Sequence, residues 1–149
     1  MTEILFYHLT ESTLEDALPA LLEKSVARGW RVVVQTGSEE RMDALDGHLW
    51  TYRDDSFLGH GLDSDAMAAD QPIVLTTGDR NANDAQVRFV VDGAEAPSVE
   101  GYERAVFMFD GHDQQQLELA RIQWKTLKTG GHAVTYWQQA DGGRWERKA

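Results

Sequence analysis

Arg121, Lys125 and Lys128 stand at i, i+4 and i+7, with Trp124 beside them. On an α-helix those steps bring side chains onto one face. The chain as a whole carries a net charge of −11 at pH 7. A basic stripe beside an indole, on an acidic protein, fits a local site for an anionic and partly apolar ligand. It equally fits a solvated amphipathic helix. In that reading Leu117, Ala120, Trp124 and Leu127 face the core, and the cations are favoured by the negative end of the helix.

A second cluster is Asp110-Gly111-His112-Asp113, at the end of an apolar run. It could supply the general acid and base of a small hydrolase or transferase. Its plainer reading is a turn, with Gly111 at positive φ and Asp113 capping the helix that follows. Asp79, Asn81 and Asn83 imitate the opening of a calcium loop. However, Asp84 stands where the loop needs glycine and Val90 where it needs a bidentate glutamate, so the stretch reads as a turn. None of the five histidines (His8, His48, His60, His112, His132) pairs with another at metal-ligand spacing, and there is no cysteine. Neither G-x-G-x-x-G nor G-x-x-x-x-G-K-[ST] is present, so the usual backbone cradles for dinucleotides and triphosphates are missing. No serine or lysine nucleophile comes with a recognisable elbow. No metal or cofactor is expected.

The elements that must position these residues follow from hydrophobic pattern. Glu3–Leu9, Trp30–Gln35, Pro72–Thr76, Val87–Val91, Arg104–Phe109 and His132–Gln138 are short apolar runs rich in strand formers. Leu14, Leu18, Leu21, Leu22 and Val26 recur at helical spacing behind three candidate caps, Thr10, Ser12 and Thr13. Pro19 suits only a first helical turn, so the regular helix is expected to start later than a Thr13 cap would set it. Ser38 caps a second helix with Met42, Leu45 and Leu49 inside and Trp50 at the margin of its inner face. The third helix begins near Gln114. From Thr51 to Gln71 periodicity vanishes, and Asp141–Ala149 reads as a polar, basic tail.

Alternating strands and helices with short connections call for parallel pairing. The expected fold is α/β, a Rossmann-like, mostly parallel sheet flanked by helices, in one domain over residues 1–149 and without a nucleotide-binding glycine loop. No apolar run is long enough to span a bilayer, and no charged-then-apolar segment opens the chain, so a cytoplasmic protein is expected. The negative charge argues against broad, direct binding to nucleic acid, because phosphate contact needs a net positive face. Stacking of single-stranded nucleic acid on Trp124 and Trp145, near Arg144, Arg147 and Lys148, remains a separate reading.

The stretch L-x-x-A-R-x-x-W-K-x-x-K-x-x-G-H-x-V-T-Y-W, Leu117 to Trp137, resembles the C-terminal half of the chi subunit of bacterial DNA polymerase III. L-W-T-Y-R-D-D-S-F-L-G-H, Leu49 to His60, is similar to that family's signature after its second helix. The resemblance covers nearly the whole chain, most loosely between Leu62 and Glu100. It implies a Rossmann-like fold without nucleotide chemistry, and an accessory protein of the clamp loader that is not itself an enzyme. It also implies a grip on the acidic C-terminal tail of single-stranded DNA-binding protein by basic and aromatic residues of the last long helix. Carried over, these are Arg121, Trp124 and Lys125, with Lys128 added by helical spacing. A second surface would meet the psi subunit, or an equivalent clamp-loader component, at Trp50 and Phe57. Asp110 stands where some members have an apolar residue and is left out of the tail site.

Overall fold

The computed structural model describes residues 2–51, 60–95 and 98–149. In chain order the elements are β1 (Glu3–Leu9), α1 (Leu14–Ala27), β2 (Val32–Gln35), α2 (Glu39–Thr51), β3 (His60–Leu62), β4 (Ile73–Thr76), β5 (Val87–Val90), β6 (Arg104–Asp110), α3 (Gln114–Thr129), β7 (Ala133–Gln139) and β8 (Trp145–Arg147). The strands form one eight-stranded sheet in the order β3-β4-β2-β5-β6-β1-β7-β8. Among the described residues every pairing is parallel except β7 with β8. The expected α/β fold is therefore observed.

Alternation along β1 and β6 splits the interior in two, because successive strand residues point to opposite faces. Leu9, Val106 and Met108 face α1 and α2, joining Leu18, Leu22, Leu45 and Leu49. Ile4, Phe6, Ala105, Phe107 and Phe109 face α3, where they meet Ala120, Leu117, Trp124 and Leu127. The connection β6–α3–β7 passes over β1, so α3 covers the β6-β1-β7 part of one face.

Four expectations need correction. α1 begins directly after its Thr13 cap and carries Pro19 inside. Proline cannot donate to the Glu15 carbonyl, its i−4 partner. His48 Nε2, on α2, lies 2.7 Å from that carbonyl oxygen and takes the vacant place. The aperiodic stretch 51–71 contains β3, three residues pairing in parallel with β4 and too short to show a period. The presumed tail contains β8, antiparallel to β7, with Trp145 packed 4.6 Å from the Tyr7 ring centroid. Trp50 does not complete the inner face of α2. It is 51% exposed, while Met42, Leu45 and Leu49 are buried, since position 50 is turned about 100° from position 49.

Arg88 on β5 was not singled out by pattern, yet it is fully buried. Its guanidinium donates to Gln35 Oε1 from both Nε (3.2 Å) and Nη2 (2.7 Å), and from Nη2 to the Gly78 carbonyl. Nη1 reaches the Arg80 carbonyl (3.2 Å) and the Tyr102 hydroxyl (3.1 Å). Five donors are thus met by neutral acceptors. The residue ties the connections around β4, β5 and β6 together. Asn81 and Asn83, from the calcium-like stretch, serve the same region. Asn81 Oδ1 accepts from the Ala85 amide at 2.7 Å, and Asn83 Nδ2 donates to the carbonyls of Val32 and Gln71.

Candidate functional site

The carboxyl ends of β1 and β6 are where open α/β sheets bind ligands. A cavity of about 320 Å³ lies there, lined by Glu11, Glu15, Asp16, Asp92 and Asp110 with Arg41 and His112. The turn after β1 aims three consecutive amides at one point, as a phosphate cradle would, but the protein fills it. Gln139 Oε1 accepts from the amides of Thr10 (3.1 Å), Glu11 (3.0 Å) and Ser12 (3.0 Å).

Asp110, His112 and Asp113 are likewise committed to local structure. Asp113 Oδ1 caps α3, accepting from the amides of Gln115 (3.0 Å) and Gln116 (3.1 Å). Asp110 Oδ1 accepts from the His112 amide at 2.8 Å, and His112 Nε2 lies 3.2 Å from the Thr10 carbonyl oxygen. Gly111 does not adopt a positive φ. Its glycine answers a close approach instead: a Cβ would overlap the His8 imidazole and lie 2.9 Å from the Leu9 carbonyl oxygen.

Two of the four residues predicted on α3 meet at one recess. Arg121 and Trp124 line a cavity of about 270 Å³ completed by Phe6, His8, Phe109, Leu117, Ala120 and Tyr136. Trp124 is half-buried, edge-on to Phe6 (5.5 Å between centroids) and to Tyr136 (5.8 Å). Lys128 Nζ sits 5.1 Å from the Trp124 ring centroid, within cation–π range. Lys125 is exposed on the same helix but does not line the cavity. Leu117, Ala120 and Leu127 serve the core, while Arg121 and Lys128 flank a recess that the indole helps to form.

Sequence reasoning missed the floor of this recess. Phe6, His8, Phe109 and Tyr136 come from β1, β6 and β7, brought together by the parallel register that sets Phe6 between Phe107 and Tyr136. His8 stacks on Phe109 at 4.8 Å and shares a hydrogen bond with the Tyr136 hydroxyl through Nδ1. Burial, then the nearby His112, hold the His8 pKa below its ordinary value against the opposing pull of Asp110. Burial raises the Tyr136 pKa. Both rings are therefore neutral near pH 7. Among the described residues, no carboxylate lines the recess. It can take an apolar side chain against its rings and a carboxylate at Arg121.

Trp50 lies elsewhere, at the end of α2, with its ring 4.4 Å from that of buried His60. His60 Nε2 is 3.1 Å from Asp46 Oδ1. Phe57 falls outside the described residues.

Residues 1–135 match the family model described as "DNA polymerase III chi subunit, HolC". A protein of Rickettsia prowazekii described as a probable DNA polymerase III subunit chi is 27% identical over 99 residues, covering 66% of this chain and 60% of its own length. A DNA polymerase III subunit chi of Pseudomonas aeruginosa is 31% identical over 87 residues, covering 56% of this chain and 59% of its own length. The chain thus spans about 60% of the length of these curated relatives.

Proposed function

The chain belongs to the DNA polymerase III chi subunit family, and from that premise we propose that it is a non-catalytic replication adaptor that grips the acidic C-terminal tail of single-stranded DNA-binding protein. One observation carries the reading. In a chain of net charge −11, the α3 recess is free of carboxylates among its described residues and places Arg121 beside an aromatic floor. A peptide ending in aspartates, a proline and a terminal phenylalanine supplies the complementary groups. Its ring enters against Trp124, Phe6 and Phe109, and its terminal carboxylate pairs with the Arg121 fork. Lys128 and Lys125 add attraction for the aspartates that salt screens.

The other end of the bridge would be a psi-like component of the clamp loader, met through Trp50 with Phe57. A half-exposed indole fixed against His60 is the kind of aromatic anchor that dominates protein interfaces.

Calorimetric titration with the acidic, phenylalanine-tipped peptide at low salt tests the tail reading. Binding that Arg121→Ala weakens without changing the melting temperature supports it, and absence of binding by the native chain overturns it. Co-purification from the native cell, comparing the native chain with Trp50→Ser, tests the second contact.

A further inference from the structure

A second recess, without a carboxylate among its described lining, lies on the opposite face of the sheet, beneath α1. It has a volume of about 210 Å³. Its floor is formed by Tyr7, Trp137 and Trp145, and Lys24, Arg28 and Arg104 stand around it. We propose that this groove binds single-stranded DNA without sequence preference, with a base against the aromatic floor and flanking phosphates at Lys24, Arg28 and Arg104.

Charge complementarity is the first argument. Three cations surround a cavity whose described lining contains no acid, in a chain with 25 acidic and 14 basic side chains. Lys24 and Arg28 are one helical turn apart and so present their charges along one line. The pairing of Trp137 with Arg147 sets a fourth cation on the same sheet face. Arg28 and Arg104 are positioned by Trp30, their Cζ atoms 3.9 and 5.1 Å from its ring centroid. The acids that face them are few: Glu3 pairs with Arg104 at 2.6 Å, and Glu23 lies one residue before Lys24 on α1.

The shape of the floor is the second argument. The α3 recess sets a single arginine beside its rings, suited to one apolar tip that carries one carboxylate. Here two indoles and a phenol offer flat surfaces, and every base has a face to stack on them. Trp137 is held by its Nε1 donating to Thr135 Oγ1 at 2.9 Å. The overall negative charge opposes the approach of DNA, but charges beyond the Debye length of about 10 Å at 0.1 M salt are largely screened, so the local cations prevail at contact. Because Phe6 and Tyr136 face α3 while Tyr7 and Trp137 face α1, the two recesses can be filled at the same time. The proposal does not depend on the tail reading.

The test uses the full chain and a fluorescein-labelled oligothymidylate of about twelve nucleotides, followed by anisotropy at low salt. Saturable binding with quenching of tryptophan fluorescence is expected. Lys24→Glu with Arg28→Glu should weaken it at least about tenfold, and Lys24→Gln with Arg28→Gln should weaken it less. The glutamine pair should also lower the slope of log affinity against log salt by about 1.4, two phosphate contacts on a single strand. Both side chains are exposed at the C-terminal end of α1, so the glutamate pair should lower the melting temperature modestly and the glutamine pair less, with the native circular dichroism kept at the assay temperature. Arg121→Ala should leave the affinity unchanged. No binding at low salt, unchanged affinity in the glutamate variant, or equal loss in Arg121→Ala would each overturn the proposal. Displacement of the oligonucleotide by the acidic peptide would also overturn it, assigning the groove to peptide.

Discussion

Gln139 and Ser12 are 127 residues apart in sequence and joined twice: Gln139 Oε1 accepts from the Ser12 amide at 3.0 Å, and Gln139 Nε2 donates to Ser12 Oγ at 3.0 Å. Through the same oxygen, Gln139 also holds the amides of Thr10 and Glu11. One buried side chain closes the position at which a nucleotide-binding relative of this fold would hold phosphate. It also pins the last long strand to the first turn. Gln139→Ala should cost about 2–3 kcal/mol, because three amides lose their acceptor in a half-buried turn. Thermal melts give the cost. Millimolar phosphate should then raise the melting temperature of Gln139→Ala and leave the native chain unmoved, since only the variant exposes the three amides.

Arg121→Ala should reduce binding of the acidic peptide by about 1.5–3 kcal/mol, the range for hydrogen bonds to charged groups. Lys128→Ala should cost less, about 0.5–1 kcal/mol, since an exposed ammonium over an indole contributes on that scale. Calorimetry at two salt concentrations separates them. The Lys128 effect should fade with salt, while the Arg121 effect should persist more strongly because Arg121 lines the recess.

His48 and Pro19 form a coupled pair although they do not bond to one another. His48 serves the Glu15 carbonyl because Pro19 cannot. His48→Ala should destabilise the protein by about 1–2 kcal/mol in the native background. In a Pro19→Ala background the new amide at position 19 can take the carbonyl, so the loss should shrink. A double-mutant cycle by urea denaturation should give a coupling energy of about 0.5–1.5 kcal/mol, and an additive cycle would refute the relationship.

Asp92 predicts a pH effect of definite sign. Burial raises its pKa above the ordinary value, Arg41 pulls the other way, and Glu15 adds to the rise. A raised folded pKa means that the folded state holds its proton more tightly than the unfolded chain does. The contribution is therefore favourable below the unfolded value near 3.8 and is lost as pH rises through the folded pKa. At neutral pH the ionised carboxylate costs stability, and Asp92→Asn should raise the melting temperature. The gain should shrink as pH is lowered towards 4, where Asp92 itself becomes protonated. Asparagine also tolerates the positive φ of 54° at this position.

Much of the scaffold was legible because buried strands and amphipathic helices write their periods locally. β1 spans Glu3–Leu9 as the apolar run indicated, and Asp113 caps α3 as its type and place indicated. The misses share a cause. β3 and β8 have three residues each, too few for a period, and exist because a neighbouring strand offers unpaired backbone groups. Pro19 departs from its expected place in a first turn because its remedy, His48, comes from another helix. Trp50 faced two ways on paper, and only the orientation of α2 against the sheet turned it outward.

The sequence by itself determined which residues can share a face: Arg121, Lys125 and Lys128 on α3, Phe6 and His8 on one side of β1, Tyr7 and Leu9 on the other. Helical and strand periods depend only on backbone geometry, so they survive without any knowledge of the fold. The tertiary structure decided which faces meet. By carrying α3 across β1 it set Arg121 and Trp124 over Phe6, His8, Phe109 and Tyr136, and by returning β7 beside β1 it delivered Gln139 to the turn after β1. The contacts of α3 with Phe6 and His8, and of Gln139 with the turn after β1, join residues more than 100 positions apart, and strand order selects them by burying two sheet faces at once.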